Sequence, residues 1–422
     1  MANNLTSNIT RKIMRAFIPA FEKERVLTKT VDTQLFKGEF TPASGTTVDI
    51  KRPHQYLAQE TSGGDISGGT DNTIIAGKAT ATVQNYITVP IPWTNKEEAL
   101  ELDQMVEILK PAAEECVTVL ETNLYNFMVK YAALSVGDPD EAVDSWADLA
   151  QVAALAKAVG VPMGKLTYVM NPFSITNLAK TQAGLNAAAP LVKTAWEMSQ
   201  IASPFAGLNA ISSAAMGSRT ATDAADMTGA LSANADCTYA TAKDSMTQTL
   251  SVTGFSANAT IKAGDVVEVT GRYICNRRTR QRIFDASGNP LPWRATVTAD
   301  VLLDGSGEGD IVVSGPALYE ANGQYNNVSA ALASGDVITV LGTTSALYQP
   351  NLWYHKNAFS VAFVKLPKLY STDTIATTSD GISIRVSKYS DGDKNTQKIR
   401  FDLLPAFGCM NPFFAGHGYG GF

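Results

Sequence analysis

The chain has 422 residues, enough for about three domains rather than one core. Hydrophobic content of 45% with 18% charged excludes a disordered chain, and a net charge of -6 argues against tight nucleic-acid binding, which needs cations that displace phosphate counterions. Four scattered cysteines (Cys116, Cys237, Cys275, Cys409) without a CxxC pair suit free thiols rather than a disulfide scaffold, and no apolar run approaches the roughly eighteen residues of a helical membrane span.

The first residues lack a signal-peptide pattern, and free thiols suit a reducing compartment, so cytoplasmic synthesis is expected. Leu5, Ile9, Ile13, Phe17, Ala20 and Phe21 recur at helical spacing, with Thr6 or Ser7 as possible caps. This amphipathic arm, within residues 1–40, docks either on its own domain or on a partner. Residues 41–93 read as a long two-stranded arm. Its outgoing strand carries Val48 and Ile50, and its return strand runs through Ala79, Ala81, Val83, Ile87, Val89 and Ile91. Between them lies a glycine-rich tip, Ser62-Gly63-Gly64-Asp65-Ile66-Ser67-Gly68-Gly69-Thr70-Asp71-Asn72. An isolated hairpin is marginal in water, so the apolar face calls for a neighbouring subunit.

A helical stripe follows from Leu102 to Tyr131, interrupted by Pro111. The spacing predicts a short helix leading into a spine of ~24 residues that starts at the proline. Residues 137–225 read as mixed α/β, with helices at 145–159 and 190–200 and a strand at 166–170. From 226 to 345 the texture becomes that of a β module, with strands at 248–255, 265–274, 293–303, 310–313 and 336–341. Trp293, Ala295, Val297, Ala299 and Val301 face one way, as a barrel or sandwich wall demands. Ile261-Lys262-Ala263-Gly264-Asp265-Val266 resembles Leu332-Ala333-Ser334-Gly335-Asp336-Val337, a Gly-Asp turn launching a strand each time. Residues 346–422 alternate strands (358–364, 381–388, 398–404) with turns, and the end at Gly416-His417-Gly418-Tyr419-Gly420-Gly421 reads as a loose terminus.

Catalytic signals are absent. His54, His355 and His417 are far apart with no metal-ligand spacing, and no GxSxG motif is present. Asp391, Asp393 and Asn395 begin like a calcium loop, but Thr396 stands where that loop needs glycine, so a hairpin turn is the better reading. Gly305 to Asp310 lacks the Lys-Ser/Thr of a phosphate loop and reads as a turn between strands. Arg277, Arg278, Arg280 and Arg282 form the one dense basic cluster. It is a solvated loop, a contact for an acidic patch on a neighbouring subunit, or, least in keeping with the overall charge, a nucleic-acid contact.

In order, these elements resemble the major capsid protein of tailed double-stranded DNA bacteriophages. Lys51-Arg52-Pro53-His54-Gln55, Gly64-Asp65-Ile66-Ser67-Gly68, Asn85-Tyr86-Ile87-Thr88-Val89, Thr194-Ala195-Trp196-Glu197, Ser383-Ile384-Arg385-Val386 and Arg400-Phe401-Asp402-Leu403-Leu404-Pro405-Ala406 are similar to coat proteins of short-tailed enterobacterial phages. The resemblance implies an α+β capsid fold. Its parts would be an N-arm (1–40), an extended loop (41–93), a peripheral domain with a long spine helix (94–136), an axial domain (137–225, with 346–422 completing both) and an inserted six-stranded antiparallel β-barrel (226–345). It implies a structural role without enzyme activity or cofactor. Pentamers and hexamers would form an icosahedral shell with a scaffolding protein and a portal protein, assembled in the host cytoplasm, with packaged DNA only in weak, non-specific proximity. A phage tail or decoration protein is the alternative. Lys51, Arg52, Asp65, Asp71 and Lys78 of the arm, with the four arginines, are the candidate subunit contacts.

Overall fold

The computed structural model describes residues 6–33, 45–61, 63–67, 71–94, 105–183, 193, 195, 197–199, 201, 204–370, 373–391 and 396–421. The chain divides into two compact units. One comprises Met1–Val48, Thr80–Phe127 and Phe359–Cys409, the other Asp49–Ala79, Met128–Ala358 and Met410–Phe422.

In the first unit, helix Thr6–Glu24 follows the apolar spacing of its sequence, and Ile13, Phe17 and Phe21 are fully buried. Phe17 stacks on Phe401 with ring centroids 4.3 Å apart, so the arm's described apolar face is covered by its own chain. The covering sheet runs Thr374–Thr377, Ser383–Asp391, Thr396–Leu403, Ile87–Thr94, all antiparallel. Asp402 is wholly buried in it and receives Arg385 at 2.7 Å, Arg400 at 2.6 Å and the Thr88 hydroxyl at 2.8 Å. A carboxylate that deep requires such partners.

A second sheet runs Thr47–Lys51, Lys78–Val83, Pro405–Cys409, Phe359–Phe363. The return strand expected as one run from Ala79 to Ile91 is therefore two strands in two sheets, Lys78–Val83 here and Ile87–Thr94 in the other. The apolar alternation lapses at Asn85, and Pro90 and Pro92 suit the second piece to the outer position it takes, where missing amides cost no ladder bond.

The long helix is a single element, Met105–Tyr131, with Pro111 inside it, rather than a short helix followed by a spine that starts at the proline. Proline there deletes only the amide that would reach back to residue 107, near the helix start, so one hydrogen bond is lost and the helix continues. Its 27 residues span about 40 Å. Glu121, 2% exposed, accepts the amides of Val26 at 2.6 Å and Thr28 at 3.3 Å, pinning the turn after the first helix. Burial holds its pKa above the usual carboxylate range despite those bonds.

The second unit contains a closed antiparallel barrel in the order Val266–Tyr273, Pro292–Val297, Gly309–Ser314, Thr247–Thr253, Thr228–Leu231, Val337–Val340, returning to the first. Val267, Val269, Trp293, Ala295, Val297, Ile311 and Val313 fill its core. The expected wall ends at Val297: Ala299 is exposed, and Val301–Leu302 pairs with Thr260–Ile261 instead. Both Gly-Asp turns share one geometry. Gly264 and Gly335 have φ of +90° and +86°, and Asp265 and Asp336 accept amides from Lys262 at 3.0 Å and Ala333 at 2.8 Å, three residues back. Each aspartate also meets an arginine, Arg219 for Asp265 and Arg272 for Asp336. The glycine run at 305–309 is a turn, with Asp304 accepting the amides of Ser306 at 2.8 Å and Glu308 at 2.9 Å.

A five-stranded sheet runs Leu134–Val136, Ala415–Gly418, Asn351–His355, Leu166–Met170, Asn209–Ser212. Helix Trp146–Val159 starts on a capping box between Ser145 and Asp148. The glycine-rich end expected to be loose is a buried strand of this sheet. Its glycines are demanded by crowding, since a Cβ at Gly416 would sit 2.6 Å from the Trp353 ring and one at Gly418 2.5 Å from Tyr168. Most of the helix expected at 190–200, the tip residues 68–70 and the centre of the hairpin at 392–395, with Asp393 and Asn395, lie outside the described residues.

Candidate subunit-contact site

Residues 52–77 leave strand Thr47–Lys51 and return to Lys78–Val83 without forming a strand in their described parts. What holds them is a set of polar clasps. Arg52, 7% exposed, donates from Nε to the Lys78 carbonyl at 3.0 Å and through its other nitrogens to the carbonyls of Met410 and Asp244. Arg280 donates to the carbonyls of Gln324 at 2.9 Å and Tyr56 at 3.2 Å, and Gln324 in turn donates to the Thr73 carbonyl at 2.6 Å. Gly77 passes where a Cβ would lie 2.7 Å from the Lys243 carbonyl and 2.8 Å from the Tyr239 hydroxyl. Tyr239 stacks on Tyr325 at 3.7 Å, and Ile75 packs against that cluster.

At their base the Arg52 amide donates to the Gly77 carbonyl at 2.8 Å, and Asn72 joins the two legs further out. Asn72 accepts the Leu57 amide at 2.7 Å and donates to the Leu57 carbonyl at 2.9 Å, as a neighbouring strand would. Tyr56, Ile66 and Ile74 are 57%, 67% and 69% exposed.

The charged candidates divide by environment. Lys51 and Asp71 are exposed. Lys78 pairs with Asp49 at 2.8 Å, which raises the lysine pKa, though a pair this exposed adds little stability. Asp65 accepts the Ser67 amide at 2.9 Å, which holds its pKa below the usual carboxylate range. The arginine cluster does not act as one patch. Arg277 is half-buried with its guanidinium 4.8 Å over Phe413, and burial pushes its pKa down to about 10. Arg280 faces carbonyls, while Arg278 and Arg282 remain exposed, Arg282 lying over Tyr273 at 5.3 Å. Among the described residues none of these four arginines pairs with a carboxylate. The sequence reading missed Gln324, Tyr239 and Tyr325, for nothing in their spacing links them to the arm.

No group of three or more His, Cys, Asp or Glu able to hold a metal occurs among the described residues, and no described helix is long and apolar enough to cross a membrane. The cavity lined by Leu134, Ser135, Leu155, Ile274, Leu291, Pro292 and Arg294 measures about 50 Å³, room for little more than water.

A family model described as "P22 coat protein - gene protein 5" matches residues 1–421. A protein named "Major capsid protein" from Acyrthosiphon pisum secondary endosymbiont phage 1 is 41% identical over 425 residues, the full length of both chains. Solved structures of similar shape include the capsid of cyanophage P-SCSP1u, with 8% identity, 94% of this chain and 88% of that chain covered and a TM-score of 0.43. The mature capsid of bacteriophage PhiM1 follows with 10% identity, 93% and 86% covered and a TM-score of 0.42. Likeness that distant adds no weight, so the assignment rests on the family model and the full-length relative. This chain belongs to the P22 coat protein family and is a phage major capsid protein, a structural component of the virion shell and not an enzyme.

Proposed function

We propose that this capsid protein assembles, with a scaffolding protein, into pentamers and hexamers of an icosahedral shell around phage double-stranded DNA, and that residues 52–77 make a principal contact between copies. The observation that carries this reading is the arm itself. Its base is clasped by Arg52, Arg280 and Gln324, while Tyr56, Ile66 and Ile74 are left in water. Large apolar side chains held out on a short anchored span favour burial against another protein surface.

In this reading Lys51, Asp65, Asp71 and Lys78 are charges that set register against a neighbour, and Arg278 and Arg282 do the same from the β module. Arg52, Arg277 and Arg280 support those contacts from behind by fixing the arm and its hairpin. Residues 1–40 serve as N-arm, 41–93 as extended loop, 94–136 as peripheral domain, 137–225 as first part of the axial domain and 226–345 as inserted barrel, with 346–422 completing the axial and peripheral domains. Synthesis in the bacterial cytoplasm fits the four free cysteines. A portal protein would admit the DNA, which the net charge of -6 leaves unbound to the wall.

Electron microscopy of the chain produced in bacteria with and without its scaffolding protein tests the shell: closed icosahedral particles are expected, and monomers or open tubes in both cases would overturn it. Deleting residues 63–71 tests the arm. The variant should stay soluble with an unchanged melting temperature and form no shells; normal particles would remove the tip from the mechanism.

A further inference from the structure

The long helix ends at Tyr131: Met128 still accepts the Ala132 amide at 2.9 Å, but the Ala133 amide turns to the Pro412 carbonyl at 3.2 Å, so the carbonyls that follow need other donors. Three carbonyls at this end meet side chains instead. Thr296 donates to the Ala132 carbonyl at 2.6 Å, Ser314 donates to the Tyr131 carbonyl at 3.0 Å, and His417 Nε2 lies 2.9 Å from the Val129 carbonyl. Thr296 and Ser314 stand opposite each other on adjacent barrel strands, and His417 belongs to the C-terminal strand. The helix end thus sits in a polar collar built from three other strands.

His417 differs from the two hydroxyls because it can change charge. It is fully buried, and its Nδ1 lies 3.1 Å from the Tyr419 hydroxyl. A carbonyl can only accept, so the ring proton is assigned to Nε2, and Nδ1 accepts from Tyr419. Both ring nitrogens are then satisfied by a neutral imidazole. No described carboxylate touches the ring. The charge that bears on it directly is the cationic Arg219, whose own partner is Asp265; Tyr419 and Tyr348 are the other titratable groups nearby, Tyr348 meeting Asp140. The two flanking strands place Leu352 and Ser135 opposite His417, and the helix presents the Val129 carbonyl. Burial, reinforced by Arg219, pushes the His417 pKa down to about 3.

We infer that His417 is a proton-sensitive latch: taking a second proton breaks the collar and releases the C-terminal strand from the end of the long helix. In the released state the ring returns to water, where imidazole titrates near 6.5. The closed form binds its proton far less readily than the open form, so closure is fully favoured above about pH 6.5. Opening then gains about tenfold per pH unit as pH falls, levelling only near the closed-state pKa of about 3.

Hydrogen exchange of the full-length monomer between about pH 7 and about pH 4.5, corrected for intrinsic rates, reads this opening at residues 129–136 and 412–421. The expected result is an opening that rises about tenfold per pH unit in the natural protein and stays flat in His417→Gln, which keeps a donor for Val129 but gains no proton. A flat natural protein, or an equal rise in the variant, would overturn the latch. Should His417→Gln not fold, Tyr419→Phe serves instead. It removes the donor to Nδ1, easing protonation of the closed ring, so the rise should level off at higher pH; an unaltered curve would overturn the inference equally.

Discussion

Two glycine-rich stretches look alike in the sequence and differ completely in the molecule. In the arm tip, Gly63 and Gly64 have no atom within 4 Å of where a Cβ would stand. At the C-terminus, Gly416 and Gly418 have a Trp353 and a Tyr168 ring within 2.6 Å of that position, and Gly420 is pressed against the Ala142 carbonyl. In the tip glycine serves by lacking bulk and stiffness; in the strand it serves by letting rings press against the backbone. Composition reports the residue and is silent about which of these reasons applies.

Replacing the crowded glycines should have the largest effect. Gly418→Ala puts a methyl group into a fully buried strand against Tyr168, and the loss should reach about 3 kcal/mol or more by urea denaturation, or abolish soluble protein. A stable Gly418→Ala protein would erase the distinction between the two stretches. Gly64→Ala should cost about 1 kcal/mol, because a φ of +73° strains any side chain even in open space. Gly63→Ala, with neither crowding nor positive φ, should stay within about 0.5 kcal/mol. Ile66→Asp should leave monomer stability unchanged, since the side chain is 67% exposed, yet it should lower shell yield in light-scattering assembly assays. A destabilised Ile66→Asp monomer would mean that the tip packs on its own chain after all.

Elements whose signal is local were legible. The spacing of Ile13, Phe17 and Phe21, the Leu166–Met170 strand and the paired Gly-Asp turns are each written within a few consecutive residues. Features whose cause lies far along the chain were not. Thr228–Leu231 is too short and glycine-containing to announce a strand, and joins the barrel only through Val337–Val340 and Thr247–Thr253. The terminal strand depends on rings at 168 and 353. Splitting the arginine cluster required Phe413, Gln324 and Tyr56, none adjacent to it in sequence. The candidate contacts were therefore legible as residue types, but not as inward clasps or outward charges.

Closure of the barrel has a consequence for a protein destined to crowd against its own copies. With Thr228–Leu231 hydrogen-bonded on both sides, every strand of the barrel has both neighbours within the same chain. An open sheet of that size would offer rows of bare amides and carbonyls, a template on which identical molecules stack without limit. The sixth strand, the one hardest to see in the sequence, thereby denies newly made chains a route into fibrous aggregates during the interval before they find their places.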